Sequence, residues 1–153
     1  MDILFLVVQQ TMYFSIPLLI VALGGVFTER GGVTNIALDG MMIMGAFTSI
    51  LFINKMQGVM SGQLLLLVAI LIAVLTGIIF SLFHCYASIN MKADQIISGT
   101  ALNMFAPAFA IYVARMIQTN GVQQITFANT FRIAKVPVLG DIPIIGGMFF
   151  RNA

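Results

Sequence analysis

Long stretches without a charged side chain constrain this chain more than any other feature. A helix needs about 20 apolar residues to cross the hydrocarbon core of a bilayer. Uncharged stretches of that length occur four times, and only the second is interrupted, by Asp39. They predict spanning helices at approximately residues 3–28, 33–54, 63–89 and 95–114.

The composition agrees with a lipid environment. Charged residues make up 8% of the chain and hydrophobic residues 60%, whereas soluble domains carry about 25% charged residues. A soluble chain of 153 residues could not remove that much apolar surface from water. We therefore predict an all-α fold, a polytopic transmembrane helix bundle.

Charge and cysteine content exclude other classes. The net charge of +2 rests on seven basic and five acidic residues. The basic residues are too sparse for the clustered cations that bind nucleic acid. The N-terminus carries Asp2 and no basic residue before the first apolar run, unlike a signal peptide, so we expect a retained span. The single cysteine, Cys85, permits no disulfide within the chain.

Small residues recur every four positions in the third and fourth predicted helices. Such rows let helix backbones approach closely in lipid, and we interpret them as packing seams. The rows are Ala69, Ala73, Gly77, Ser81 and Cys85, and Ala106, Ala110 and Ala114.

No catalytic constellation is evident. The lone histidine, His84, has no second ligand near it in sequence, so we interpret it as a packed or interfacial residue. No glycine-rich turn between a strand and a helix indicates a nucleotide site. We expect no enzymatic activity, catalytic residue, metal or cofactor.

A first polar cluster spans residues 28–40. Gly31 and Gly32 should end the first helix, and Asn35 and Asp39, four apart, should share one face of the next. A carboxylate within an apolar span should face the bundle or a cavity. Alternatively, Asn35 or Thr34 caps that helix and Asp39 occupies its favourable first turn.

A second polar cluster spans residues 90–103. Gln95, Ser98, Gly99 and Asn103 fall roughly on one helical face, with Pro107 one turn further. Polar groups on one face of a proline-bent membrane helix suit a substrate pathway. They suit interhelical hydrogen bonds equally well.

Both clusters resemble signature blocks of the permease subunits of bacterial ABC importers, in the group for branched-chain amino acids, ribose and nucleosides. The resemblance covers nearly the whole chain and is greatest to the nucleoside branch, often called simple-sugar permeases. The similar runs are 16–30 (IPLLIVALGGVFTER), 32–41 (GVTNIALDGM), 93–103 (ADQIISGTALN) and 136–143 (VPVLGDIP).

The resemblance implies a multi-pass permease component in the bacterial cytoplasmic membrane that translocates nucleosides or related compounds. It implies three protein partners: an ABC ATPase subunit, a second permease subunit and a substrate-binding lipoprotein or periplasmic protein. Membrane lipid surrounds the helices, and no nucleic acid is expected. The alternatives are a ribose-type sugar permease component and a non-transporting small membrane protein or inert fragment.

The family's members are roughly twice as long, so this chain resembles an N-terminal half, from a truncated or split form. Residues 115–153 are then expected to form an extramembrane or interfacial loop before a missing fifth helix. The positive-inside rule favours a cytoplasmic N-terminus, whereas the resemblance implies an external one.

Lipid offers polar side chains no hydrogen-bond partner, so those at membrane depth must turn inward. We therefore predict that five residues line or buttress the substrate pathway: Asn35, Asp39, Gln95, Ser98 and Asn103.

Overall fold

The computed structural model describes residues 2–60, 62–118, 124–128 and 131. Four helices follow one another: α1 (Asp2–Arg30), α2 (Leu38–Met56), α3 (Gly62–Cys85) and α4 (Gln95–Ile117). A π-helical turn, Tyr86–Asn90, extends α3. No strand occurs among these residues, and the predicted all-α class is confirmed.

The backbone divides into two compact units. Of the described residues, the first holds 2–22 of α1 together with Phe131. The second, Leu23–Asn129, holds the end of α1 and all of α2, α3 and α4. All contacts discussed below lie within the second unit, which we call the helical unit.

Within the described part of the chain, three helical stretches are long and apolar enough to cross a membrane: Ile3–Arg30, Gly62–Asn90 and Gln95–Ile117. The 19-residue α2, with Asp39 in its first turn and Lys55 in its last, is not among them. The second predicted span, residues 33–54, therefore stays a prediction. Large apolar side chains on α3 point outward, as lipid favours; Leu67 and Leu71 are 60% and 61% exposed.

The second helix begins at Leu38, several residues later than the sequence pattern suggested. Residues 31–37 are not helical, because Gly32 adopts a φ of +79° that favours glycine and the Asn35 Oδ1 accepts the Ala37 N–H at 3.1 Å. Such a local bond competes with helix formation. The prediction that Asn35 and Asp39 share one face of α2 is therefore wrong, since Asn35 precedes the helix.

The fourth helix begins with a side-chain cap. Asp94 Oδ1 accepts the N–H groups of Ile96 and Ile97 at 2.8 and 3.2 Å. These are two of the N–H groups that a helix start leaves without an intrahelical partner. The cap fixes where α4 begins and thus the register of its polar side chains.

Within the helical unit, α2 lies between α3 and α4. Met44, Phe80 and Ala106, one from each helix, form its buried cluster. Close approach of α2 to α3 depends on Gly45, where an added Cβ would lie 3.3 Å from the Ala73 carbonyl oxygen. The middle of this unit is thus held by apolar packing and small residues.

The predicted loop 115–153 lies mostly outside the described residues. Its first residues differ from the prediction, because α4 continues through Ile117. Residues 136–143, which contribute to the family resemblance, also lie outside the described part of the chain.

Candidate functional site

The polar side chains converge at the end of the helical unit where α2 and α4 begin and α3 finishes. We call this region the polar end and define it as residues 31–40, His84 and 95–103. Gln95 Oε1 accepts the backbone N–H of Thr34 at 2.8 Å. A side chain of α4 thereby satisfies the non-helical backbone that precedes α2.

Asn103 makes two such bonds. Its Oδ1 accepts the Gly40 N–H at 2.7 Å, and its Nδ2 donates to the Ile36 carbonyl at 2.7 Å. The N-cap residue of α2, Ala37, has no side chain able to cap, so Asn103 takes that role from another helix. The alternative prediction that Asn35 or Thr34 caps α2 is therefore wrong.

Two glycines allow this close approach of α4. A Cβ on Gly40 would lie 2.8 Å from the Leu102 carbonyl oxygen and 3.0 Å from Asn103 Oδ1. A Cβ on Gly99 would lie 3.1 Å from both the Ala37 nitrogen and the Ile36 Cβ. Side chains at either position would separate α4 from the start of α2 and lengthen the Asn103 hydrogen bonds.

Ser98 contacts α3. Its Oγ lies 3.0 Å from His84 Nδ1 and 3.3 Å from the Gln95 carbonyl oxygen. His84 is only 3% exposed, and its other ring nitrogen, Nε2, has no hydrogen-bond partner among the described residues. A buried polar atom without a partner costs about 1–3 kcal/mol, and Nε2 is itself closed off from solvent.

A cavity of about 230 Å³ adjoins His84. It lies between the end of α1, the non-helical residues before α2 and the last turns of α3. No lining residue carries a formal charge when the imidazole is neutral. The lining residues are Thr28, Gly31, Val33, Asn35, Ser81, His84, Cys85 and Ile89.

The lining offers few polar groups. Among the described residues, the Asn35 Nδ2 has only the Met41 sulfur, at 3.9 Å, as a partner. The Thr28 hydroxyl donates to the Gly25 carbonyl at 2.8 Å and keeps its oxygen free to accept. Among the residues that the structure describes, no group of three His, Cys, Asp or Glu side chains could hold a metal ion. The cavity suits an uncharged ligand with a few hydrogen-bonding groups.

The five predicted site residues therefore occupy different positions. Gln95 and Asn103 hold backbone, Ser98 contacts His84, and Asn35 lines the cavity. Asp39 is exposed in the first turn of α2 and forms no ion pair with the described residues.

The sequence reasoning interpreted His84 as packed or interfacial and missed its contact with Ser98. A useful signal was present, because an ionisable residue within an apolar membrane segment is itself a reason to suspect function. The absence of a second metal ligand excluded only one kind of site.

Comparison with known proteins identifies relatives. Residues 7–141 match the family described as branched-chain amino acid transport system / permease component. The guanosine ABC transporter permease protein NupQ of Bacillus subtilis is 42% identical over 99% of this chain and 47% of its own length.

Two further relatives carry related names. The nucleoside ABC transporter permease protein NupC of Lactococcus lactis is 38% identical over 96% of this chain and 45% of its own length. The putative glucose ABC transporter permease protein TsgC13 of Haloferax volcanii is 27% identical over 94% of this chain and 41% of its own length. This chain spans about half the length of these relatives. No solved structure matches it.

Proposed function

Since this chain belongs to the family of branched-chain amino acid transport system permease components, we propose that it forms part of the membrane pathway of an ABC importer for nucleosides. The observation that carries the substrate class is the 42% identity, over 99% of the chain, to a protein named as a guanosine permease. The chain is a multi-pass protein of the cytoplasmic membrane.

The proposed mechanism is alternating access. An ATPase subunit hydrolyses ATP and drives the pathway to open first to one side of the membrane and then to the other. A second permease subunit completes the pathway, and a binding lipoprotein or periplasmic protein delivers the nucleoside. In this proposal the chain contributes binding and passage, and the covalent chemistry belongs to the ATPase.

The polar end is the proposed pathway region within this chain. Asn35 lines the cavity of the polar end. Asp39, four residues further along the chain, has an exposed carboxylate. Gln95 and Asn103 hold the backbone from Thr34 to Gly40 that forms one wall. Amide groups suit nucleosides because they both donate and accept hydrogen bonds.

A gene deletion tests the substrate class. Cells lacking the gene should lose uptake of radiolabelled guanosine and keep uptake of ribose, and a plasmid copy should restore the loss. Loss of ribose or glucose uptake alone would favour the sugar alternative, which the relative named as a putative glucose permease supports. Unchanged uptake of all three would favour a non-transporting protein.

Asn35→Ala tests the pathway position in the same uptake assay. One lost hydrogen bond to an uncharged ligand contributes about 0.5–1.5 kcal/mol, so the apparent guanosine constant should rise about threefold to tenfold. Asn90→Ala is the matched control, because Asn90 is exposed and outside this cavity. If both variants behave alike, Asn35 does not line the pathway.

A further inference from the structure

We propose that Pro107 is a hinge within α4. About this hinge, residues 108–117 swing toward and away from α2, while residues 95–106 stay fixed to α2. The swing opens and closes the end of the helical unit that lies away from the polar end. Three observations carry the inference: a main-chain hydrogen bond that proline removes, tight packing before Pro107, and a cavity after it.

The weak point in the helix follows from the chemistry of proline. The helix α4 runs without interruption from Gln95 to Ile117, and Pro107 lies within it. Proline has no N–H, so the Asn103 carbonyl, four residues earlier, receives no hydrogen bond from position 107. The proline ring also crowds that carbonyl. Because sharp bends in helices occur mostly at such positions, α4 bends most easily between Asn103 and Pro107.

Before Pro107, α4 is fixed to the start of α2. The Asn103 side chain accepts the Gly40 N–H and donates to the Ile36 carbonyl, each at 2.7 Å. An added Cβ on Gly40 would lie 2.8 Å from a carbonyl oxygen of α4, so the two backbones are in direct contact. Ala106, next to Pro107, is fully buried in the central cluster of the helical unit. This half of α4 therefore moves only together with α2.

After Pro107, a cavity of about 200 Å³ lies between α4 and α2. Its lining includes Ala110 and Ala114 of α4, and Phe47 and Ile50 of α2. We call it the α2–α4 cavity. Because unfilled space adjoins this half of α4, the half can move toward α2 without displacing packed side chains.

The geometry of α4 sets the size of the movement. Residues 108–117 form a segment about 15 Å long, at about 1.5 Å per residue. A change in bend of about 20°, the size at which a helix counts as sharply kinked, moves the end of that segment by about 5 Å. Such a movement is large enough to close or widen the α2–α4 cavity.

An aromatic pair spans the hinge. Phe105 and Phe109 lie on either side of Pro107, and their rings stack with centroids 5.4 Å apart and planes 25° apart. Aromatic stacking is attractive, so this pair favours one arrangement of the two halves. The stack therefore limits the swing that Pro107 permits.

Distances between spin labels test the hinge in the purified chain in lipid nanodiscs. In a Cys85→Ser background, labels at Lys55→Cys and Met116→Cys report on the swinging side. Labels at Met42→Cys and Ala101→Cys report on the fixed side, and all four side chains are exposed. Distances of the first pair should spread over about 5 Å more than those of the second pair. Equally narrow distributions in the parent chain would overturn the proposal.

Two substitutions should change the first pair in opposite directions. Pro107→Ala restores the N–H and should narrow the distribution to the width of the second pair. Phe109→Ala removes the stack and should broaden it. Pro17→Ala is the matched control, because Pro17 lies within α1, and it should alter neither pair. A first pair that Pro107→Ala leaves unchanged would contradict the hinge, provided that circular dichroism shows parental helix content.

Filling the α2–α4 cavity tests the hinge without touching the proline. Ala110→Leu places a larger side chain in the cavity, so the first pair should be held at the longer end of its range. Ala108→Leu makes the same change in the same half of α4 at an exposed position outside the cavity lining, and it should leave the distances unchanged. Equal distances in both variants would contradict movement into this cavity.

The use of the hinge in transport rests on the proposed function. Equilibrium dialysis with radiolabelled guanosine should give parental affinity for Pro107→Ala, because the polar end stays fixed, whereas the maximal rate of guanosine uptake should fall. If gene deletion abolishes guanosine uptake but the labels show no swing, this inference alone fails. If the labels show the swing but deletion leaves guanosine uptake unchanged, the proposed function alone fails.

Discussion

The two ends of the helical unit use the same hydrogen bonds to hold irregular backbone, but their cavities differ. At both ends, amide side chains of a helix satisfy irregular backbone: Gln95 and Asn103 at the polar end, and Asn54 and Gln57 at the other. Asn54 Nδ2 donates to the Thr126 carbonyl at 2.6 Å, and Gln57 Oε1 accepts the Ala128 N–H at 2.8 Å. We call this second region the opposite end and define it by residues 47–57, 110–114 and 124–128.

The cavities of the two ends differ in chemistry. The opposite end has a cavity of about 200 Å³ lined by apolar side chains: Phe47, Ile50, Ala110, Ile111, Ala114 and Ile125. The cavity at the polar end is lined in part by His84 and Asn35. Hydrogen bonds from amide side chains to backbone therefore have a structural role at both ends, and the polar side chains of its lining distinguish the cavity of the polar end.

The largest expected effect tests the close packing of the polar end. Gly40→Ala should lower the free energy of unfolding by about 3 kcal/mol, the upper part of the usual range for overpacking, because its Cβ would meet the Leu102 carbonyl oxygen at 2.8 Å. Gly77→Ala is the control, since nothing lies within 4 Å of a Cβ there. Unfolding in sodium dodecyl sulfate would measure both variants. Equal stabilities would contradict the close approach of α4 to α2.

A smaller loss is expected from removing the cap that Asn103 supplies. Asn103→Ala leaves the Gly40 N–H and the Ile36 carbonyl without their partner, at a cost of about 2 kcal/mol. The same unfolding assay measures it, with Asn90→Ala as the exposed amide control. A variant of parental stability that binds guanosine weakly would instead place Asn103 in contact with the ligand.

The two ends can next be compared by single hydrogen bonds. Gln95→Ala and Asn54→Ala should each lower the free energy of unfolding by about 1 kcal/mol, because each loses one bond to backbone. Only Gln95→Ala should also weaken guanosine binding, since its partner, Thr34, adjoins Asn35 in the cavity wall. Dialysis and unfolding together would measure the pair, with Gln63→Ala as an exposed control. Weaker binding in Asn54→Ala would remove the distinction between the ends.

The smallest expected effect is on the rate of thiol labelling. Cys85 is exposed and lines the cavity at the polar end, so guanosine should slow its reaction with a maleimide in detergent. Ile111→Cys in a Cys85→Ser background reports on the opposite cavity and should react at the same rate with or without guanosine. Mass spectrometry over time would give both rates. Protection at residue 111 but not at Cys85 would move the ligand to the opposite end.

The sequence determined the helical class and the family of this protein. Uncharged stretches as long as a bilayer is thick leave few alternatives to membrane helices, and motifs at 16–41 and 93–103 carried the resemblance that the family match confirms. The sequence also located the two polar clusters, because polar side chains are conspicuous within apolar segments.

Tertiary structure alone decided what those side chains do. Asn103 reaches Gly40, 63 residues away, and no local pattern encodes a hydrogen bond over that separation. His84 appeared unremarkable beside Cys85 in the sequence, yet packing buries its ring, places Nδ1 3.0 Å from Ser98 Oγ and leaves the buried Nε2 without a hydrogen-bond partner among the described residues. Local sequence sets helical periodicity and hydrophobicity, whereas the pairing of buried polar atoms depends on which helices meet and at what register.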